Sequence, residues 1–170
     1  MIEKLIMPEK GDAEIISYVM VILIITLVVG MITSILIPAI GKQQSKDRFE
    51  NTKAYIDLID NQVNEIMLAP INSSSKISLD LTNLYLDINS DDNSIQIYSL
   101  TSSEEFYENN LLVKTGNKYT YRNNQFLYAG VEYSDINIIN YFNIANTKTD
   151  LYFKKKTINQ LEITTAPENN

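Results

Sequence analysis

The sequence predicts an α+β fold: a long N-terminal helix, half transmembrane and half amphipathic, packed on an antiparallel β-rich head. Three observations carry this. Ile15 to Ile40 holds no charged residue. From Phe49 to Ile66 the apolar positions recur at helical spacing, and from Lys76 onward the period switches to two.

The apolar run reads IISYVMVILIITLVVGMITSILIPAI. At 1.5 Å per residue it extends about 39 Å, more than the roughly 30 Å hydrocarbon core of a bilayer. A helix that is apolar on every face has no place on a soluble surface. Thr26, Gly30 and Ser34 fall at four-residue spacing on one stripe, where small side chains let two helices approach closely in lipid. Pro38 removes a backbone donor and predicts a kink near the end of the span, with Gly41 loosening its exit.

Beyond Gly41 the chain turns polar but keeps a helical repeat. Phe49, Thr52, Ile56, Ile59, Val63 and Ile66 are spaced 3, 4, 3, 4, 3, which predicts an amphipathic helix ending before Pro70. Lys42, Lys46, Asp47, Arg48, Glu50, Lys53, Asp57, Asp60 and Glu65 lie off this seam and are expected to face water. The apolar side is expected to pack on the chain's own head, the alternative being a coiled-coil contact with another subunit. Residues 70–75, Pro-Ile-Asn-Ser-Ser-Ser, read as a linker.

The head is read as short strands. Ile77 to Leu81, Leu84 to Asp87 and Ile95 to Ile97 alternate apolar and polar around turn residues at Asn83 and Ser90 to Asn93, which predicts a three-stranded meander. Ser102-Ser103-Glu104-Glu105, with Phe106, has the start of a short helix. Further strands are expected at Leu111–Lys114, Lys118–Arg122, Gln125–Tyr133, Ile136–Phe142, Asp150–Lys155 and Thr157–Thr165. Turns are expected at Thr115-Gly116-Asn117 and Asn123-Asn124. The tail 167–170 has no pattern.

Composition narrows the function classes. The formal charge of −7 argues against a nucleic-acid partner. Without Cys there is neither a disulfide framework nor a thiol nucleophile; without His the commonest general base and metal ligand are missing. No catalytic constellation, cofactor site or metal site emerges, and the expectation is a protein that is not an enzyme. Asp80, Asp87, Asp91 and Asp92 lack the spacing of a calcium loop and read as turn residues. Tyr119, Tyr121, Tyr128 and Tyr133 suggest either a sugar-binding platform or half-buried sheet tyrosines. Lys154-Lys155-Lys156 reads as a solvated hairpin end.

At Lys10-Gly11-Asp12-Ala13-Glu14 a short charged leader meets the apolar run. This junction resembles the processing site of archaeal type IV pilin-like proteins, which carry class III signal peptides. The resemblance covers Lys10 to about Ile40 and the layout of stalk and β-rich head. It implies cleavage by a prepilin-type peptidase after Gly11, with Lys10, Gly11 and Asp12 as the processing site. Domains would then be a leader 1–11, an assembly helix 12–41, an amphipathic helix 42–69, a linker 70–75, a head 76–166 and a tail 167–170. It further implies a membrane-anchored subunit entering an extracellular filament through contacts with other pilin-like subunits. Glu14, Thr26, Gly30 and Ser34 would serve that assembly. The bacterial pattern has an aromatic first mature residue and Glu at the fifth position; here Asp12 is first and Glu14 third.

Three alternatives stay open. The span can be an uncleaved anchor for an extracellular binding or adhesion module. It can be an ordinary secretory signal, Ala39-Ile40-Gly41 supplying small residues for cleavage, although such apolar cores run about 7–15 residues. Orientation is divided: Lys4 and Lys10 precede the span, Lys42, Lys46, Arg48 and Lys53 follow it, and the positive-inside count opposes an extracellular head. Asn72-Ser73-Ser74 is the single Asn-x-Ser/Thr sequon, making Asn72 a candidate glycosylation site.

Overall fold

The computed structural model describes residues 10–101 and 112–166. The short helix expected at Ser102 to Phe106, the leader up to residue 9 and the tail 167–170 lie outside the described residues. The chain divides into two units, 1–41 and 42–170, and the fold is α+β, a long N-terminal helix with an antiparallel β-rich head.

Helix α1 is assigned from Lys10 to Leu68, with Pro38 inside it. Neither Pro38 nor Gly41 ends it. In the first unit every residue from Glu14 to Ile40 is exposed. Threonine and serine hydroxyls of this stretch bond back to the helix itself: Thr26 Oγ1 donates to the Ile22 carbonyl at 2.8 Å and Ser34 Oγ to that of Met31 at 2.8 Å. Such back-bonding is how a hydroxyl is accommodated in an apolar helix.

In the second unit the 3.5-residue seam is buried as its spacing predicts. Phe49, Thr52, Ile56, Ile59, Val63 and Ile66 are each at most 4% exposed. The five apolar ones join one core with Leu79, Leu86, Ile88, Ile97, Val131, Leu151, Phe153 and Leu161 from the strands. The cover is therefore intramolecular. Thr52, the one polar seam residue, turns its hydroxyl to the Arg48 carbonyl at 2.8 Å.

Ten strands follow among the described residues: β1 (Ser74–Asp80), β2 (Leu84–Asn89), β3 (Ser94–Leu100), β4 (Val113–Thr115), β5 (Lys118–Asn123), β6 (Phe126–Glu132), β7 (Asn137–Ile138), β8 (Phe142–Ala145), β9 (Lys148–Lys155) and β10 (Gln160–Thr164). They form a four-stranded sheet in the order β1-β9-β10-β7 and a six-stranded sheet in the order β4-β5-β6-β3-β2-β8. All pairs are antiparallel except β10 with β7.

The expected meander is corrected. β2 and β3 form a hairpin, but β1 pairs with β9 in the other sheet. The reason lies at the connections. Leu81 N donates to Thr147 O, Asn146 N to Leu84 O, and Asn83 N to Asn146 Oδ1. The β1–β2 and β8–β9 links thus run side by side, and both chains change sheets at one corner. The segment expected as a single strand from Ile136 to Phe142 is likewise split between β7 and β8, which lie in different sheets. The linker is shorter than expected, β1 beginning at Ser74.

Turns sit where Asn and Gly clusters place them. Asn72, Asn83, Asn93, Asn124 and Asn146 have positive φ, as does Gly116 at 64°; Asn and Gly tolerate this left-handed region best.

Candidate functional site

Lys10, Gly11 and Asp12 fall in the first turn of α1, where assigned helix boundaries vary by a residue or two. Glu14, Thr26, Gly30 and Ser34 are exposed, and a Cβ built on Gly30 meets nothing within 4 Å. The stripe of small residues is thus open, amid exposed Ile15, Val19, Ile22, Ile25, Val29 and Ile35. Contiguous apolar surface on this scale demands lipid or protein cover. Among the described residues one helix is long and apolar enough to cross a membrane, by length and composition. Asn72 is exposed on its turn, its backbone N–H held by the Lys155 carbonyl at 2.8 Å.

Two charged residues expected to face water are in the core. Asp60 is 6% exposed and Lys155 is 8% exposed. Asp60 Oδ1 accepts hydrogen bonds from Tyr133 Oη at 3.2 Å, Asn117 Nδ2 at 3.2 Å and Asn64 Nδ2 at 3.4 Å, and Lys118 Nζ lies 3.0 Å from Oδ2. Lys118 also bonds Asp57 at 2.7 Å, and this bond, with Asp60 behind it, holds its ammonium above the usual lysine range. Lys155 Nζ donates to the carbonyls of Met67 and Ala69 at 2.6 and 2.8 Å. Lys155 is therefore a tertiary cap of α1 rather than part of a solvated hairpin end. Lys156, next to it, pairs with Glu162 at 2.8 Å.

The tyrosines divide. Tyr133 is buried against Asp60, its phenol pushed well above the usual range by desolvation and by the carboxylate, so it belongs to no surface platform. Tyr121 and Tyr128 instead join Tyr85 and Tyr98 in one row across the outer face of the six-stranded sheet. Tyr85 is register partner of Tyr98, Tyr98 of Tyr128, and Tyr128 of Tyr121. Their ring centroids are 5.0, 5.0 and 4.4 Å apart and their planes within 29°. Phe126 stands edge-on to Tyr85 and Tyr98.

Rings lying flat side by side cannot come this close, so each covers its neighbour's face. The row presents ring edges and hydroxyls outward. Recognition of a sugar by stacking on open ring faces is largely spent. Tyr119 closes over Gly130, where a Cβ would come within 2.5 Å of the ring; the missing side chain is what admits the tyrosine. Burial pushes the Tyr119 phenol up to about 12.

Asp87 stands in the row beside the tyrosines, flanked by its register partners Gln96 and Asn143. Its Oδ1 is shut off from solvent and has no hydrogen-bond partner, and desolvation raises its carboxyl above the usual range. The other acids considered for a cation are spread apart in role. Asp80 accepts from Thr82 and pairs with Lys148 at 3.3 Å, its carboxyl held low first by the Thr82 hydroxyl. Asp91 and Asp92 bond Asn89 in the β2–β3 turn. Among the described residues no group of three acids, His or Cys is placed to hold a metal. An open cleft of about 270 Å³ lies between Asp92, Gln96, Lys114, Tyr119 and Glu132, with Lys114 and Glu132 paired at 3.0 Å.

Comparison with protein-family models, with curated proteins and with solved structures finds no match.

Proposed function

We propose that this chain is a pilin-like structural subunit, held in the membrane by the first half of α1 and incorporated into an extracellular filament after cleavage at Gly11. The observation that carries the reading is the contrast between the two halves of one helix. From Phe49 to Ile66 the apolar seam is buried by the head; from Glu14 to Ile40 every residue is exposed. Lipid satisfies that surface in storage, and neighbouring helices satisfy it in a filament. The junction Lys10-Gly11-Asp12 supports the processing step, and the prepilin-type peptidase and sister subunits are the partners it requires. No catalytic role is proposed.

The absence of native cysteine makes a direct test simple. Gly30→Cys and Ser34→Cys lie on the small-residue stripe, Ile32→Cys on the opposite side of the helix. In membranes or surface fibres, thiol cross-linking is expected to join two copies through the stripe positions and far less through Ile32→Cys. No cross-linked product at any of the three would overturn the packing proposal.

A second reading has its own support. A bitopic binding module, anchored and never polymerised, is favoured by the ordered row of tyrosine hydroxyls on the head. An intact leader in the mature protein decides for it.

A further inference from the structure

The four-stranded sheet ends at β1 in an open edge. Among the described residues the outer strands are β1 and β7 in that sheet and β4 and β8 in the other. β1 is the longest of these, seven residues against two, three and four. Its hydrogen-bond phase is fixed at both ends of its pairing with β9. Lys155 N–H donates to Ser73 O and Leu81 N–H to Thr147 O, so in the antiparallel register the odd-numbered residues of β1 bond to β9. Ser74, Lys76, Ser78 and Asp80 therefore turn their backbone N–H and C=O groups to the free side, and their side chains are exposed. A row of such groups is a template for another strand.

Charged side chains ordinarily blunt a sheet edge; here they select a register. β1 carries one cation, Lys76, and one acid, Asp80, with Asp150 and Lys148 of β9 beside them at 2.7 and 3.3 Å. On a chain of net charge −7, this edge is locally neutral. When two copies of β1 are set antiparallel, the outward-bonding positions must face one another, which leaves registers centred on a single residue. Centred on Lys76 or Asp80, the pairing sets like charges opposite each other, which destabilises. Centred on Ile77 or Leu79, it sets the charges opposite serine or threonine. Centred on Ser78, it sets Lys76 of each copy opposite Asp80 of the other, while Ile77 faces Leu79 on the buried side.

We propose that the free edge of β1 pairs antiparallel with the same edge of a second copy of this chain, centred on Ser78, joining two four-stranded sheets into one. Charge then alternates across the seam, from Lys148 through Asp80 to Lys76 of the second copy. The contact is two-fold and closes on itself, so it joins two heads and does not propagate a filament. The inference concerns the head alone and stands independently of filament assembly.

The test is disulfide trapping of the full-length chain in detergent micelles, which the absence of native cysteine allows. Ser78→Cys sits on the two-fold axis, where facing Cα atoms lie about 5.5 Å apart, within disulfide reach. Ser74→Cys, four residues along, is held about 26 Å from its copy. Mild oxidation is expected to give a dimer from S78C at least about tenfold faster than from S74C. Chains held together by their membrane helices alone would cross-link both alike. K76E and D80K, each added to S78C, set like charges across the seam twice and should each slow the dimer about tenfold. Mixed together, the two variants restore opposite charges at both facing pairs. The mixed dimer, distinguished by mass, should then form near the parent rate and outnumber either self-dimer. The proposal is overturned by an S78C dimer that forms no faster than the S74C one, or by a mixed dimer no more abundant than random pairing gives.

Discussion

The ammonium of Lys155 on β9 donates to the carbonyl of Met67 at 2.6 Å, so the last turn of α1 is closed by a charge from the sheet. The last turn of α1 contains no basic residue, and while Ile66 O accepts from Ala69 N–H, the Met67 carbonyl beyond it would otherwise face an uncompensated negative dipole end. The backbone around Lys155 reinforces the joint, Asn72 N–H and Lys155 N–H bonding across to Lys155 O and Ser73 O. Lys155→Met keeps the apolar stem and removes the donors. It is expected to destabilise the head by about 2 kcal/mol, the cost of buried acceptors left unmet. Urea unfolding checks this, with an unchanged slope and a lower midpoint.

A second joint links the middle of the amphipathic half of α1 to β5 and to Tyr133 through Asp60. Asp60→Ala strands the Tyr133 hydroxyl and the Asn117 amide and leaves Lys118 with Asp57 alone. The expected loss is about 2–4 kcal/mol, larger than for Tyr133→Phe, which removes a single donor and should cost about 1 kcal/mol. Equal losses for the two variants would contradict the hub role of Asp60. A double-mutant cycle measures the coupling between them.

Alkaline pH should separate the tyrosines. In the folded head burial raises the phenols of Tyr119, Tyr121, Tyr128 and Tyr133, Tyr119 to about 12, whereas in the unfolded chain they ionise near the ordinary value of about 10. Above that pH the unfolded chain holds fewer protons than the folded one, so stability falls as pH rises. Lys118 acts in the same direction: its ion pairs contribute fully below the unfolded lysine value and are lost as pH climbs through the raised folded one. Ultraviolet titration should show the phenols of Tyr119, Tyr121, Tyr128 and Tyr133 ionising late, above the ordinary tyrosine value and together with unfolding. A single titration of all tyrosines near pH 10 in a head that remains folded would contradict the burial described.

The helix was legible because its signals are local. Twenty-six uncharged residues set the span, and a 3.5-residue seam marked Phe49 to Ile66 as buried. Apart from the segment 136–142, strand positions were legible for the same reason, since alternation and Asn or Gly turns act over a few residues. Sheet membership was not. The short link at Thr82-Asn83 looks like a hairpin turn, yet its partner is the Asn146-Thr147 link far along the chain, and nothing near Leu81 encodes that pairing. Asp60 was misread because a charged residue off the seam is ordinarily solvated, and Lys155 because a run of lysines between strands ordinarily is; their burial depends on donors and acceptors supplied by distant segments. The tyrosine row was half visible: Tyr121 and Tyr128 drew notice by alternation, whereas Tyr85 and Tyr98 joined them only through the β2–β3–β6 register.

The central claim is that the uncovered half of α1 passes from lipid to sister helices once the residues before it are removed. Intact-mass determination on the chain recovered from the cell surface tests it most directly. Cleavage after Gly11 removes eleven residues and leaves 159 of the 170. A chain beginning at Asp12 in the wild type, and one retaining Met1 when Gly11 is replaced by Val, is the predicted result. A wild-type surface chain that still begins at Met1, or one that begins near Lys42 without its apolar helix, contradicts it.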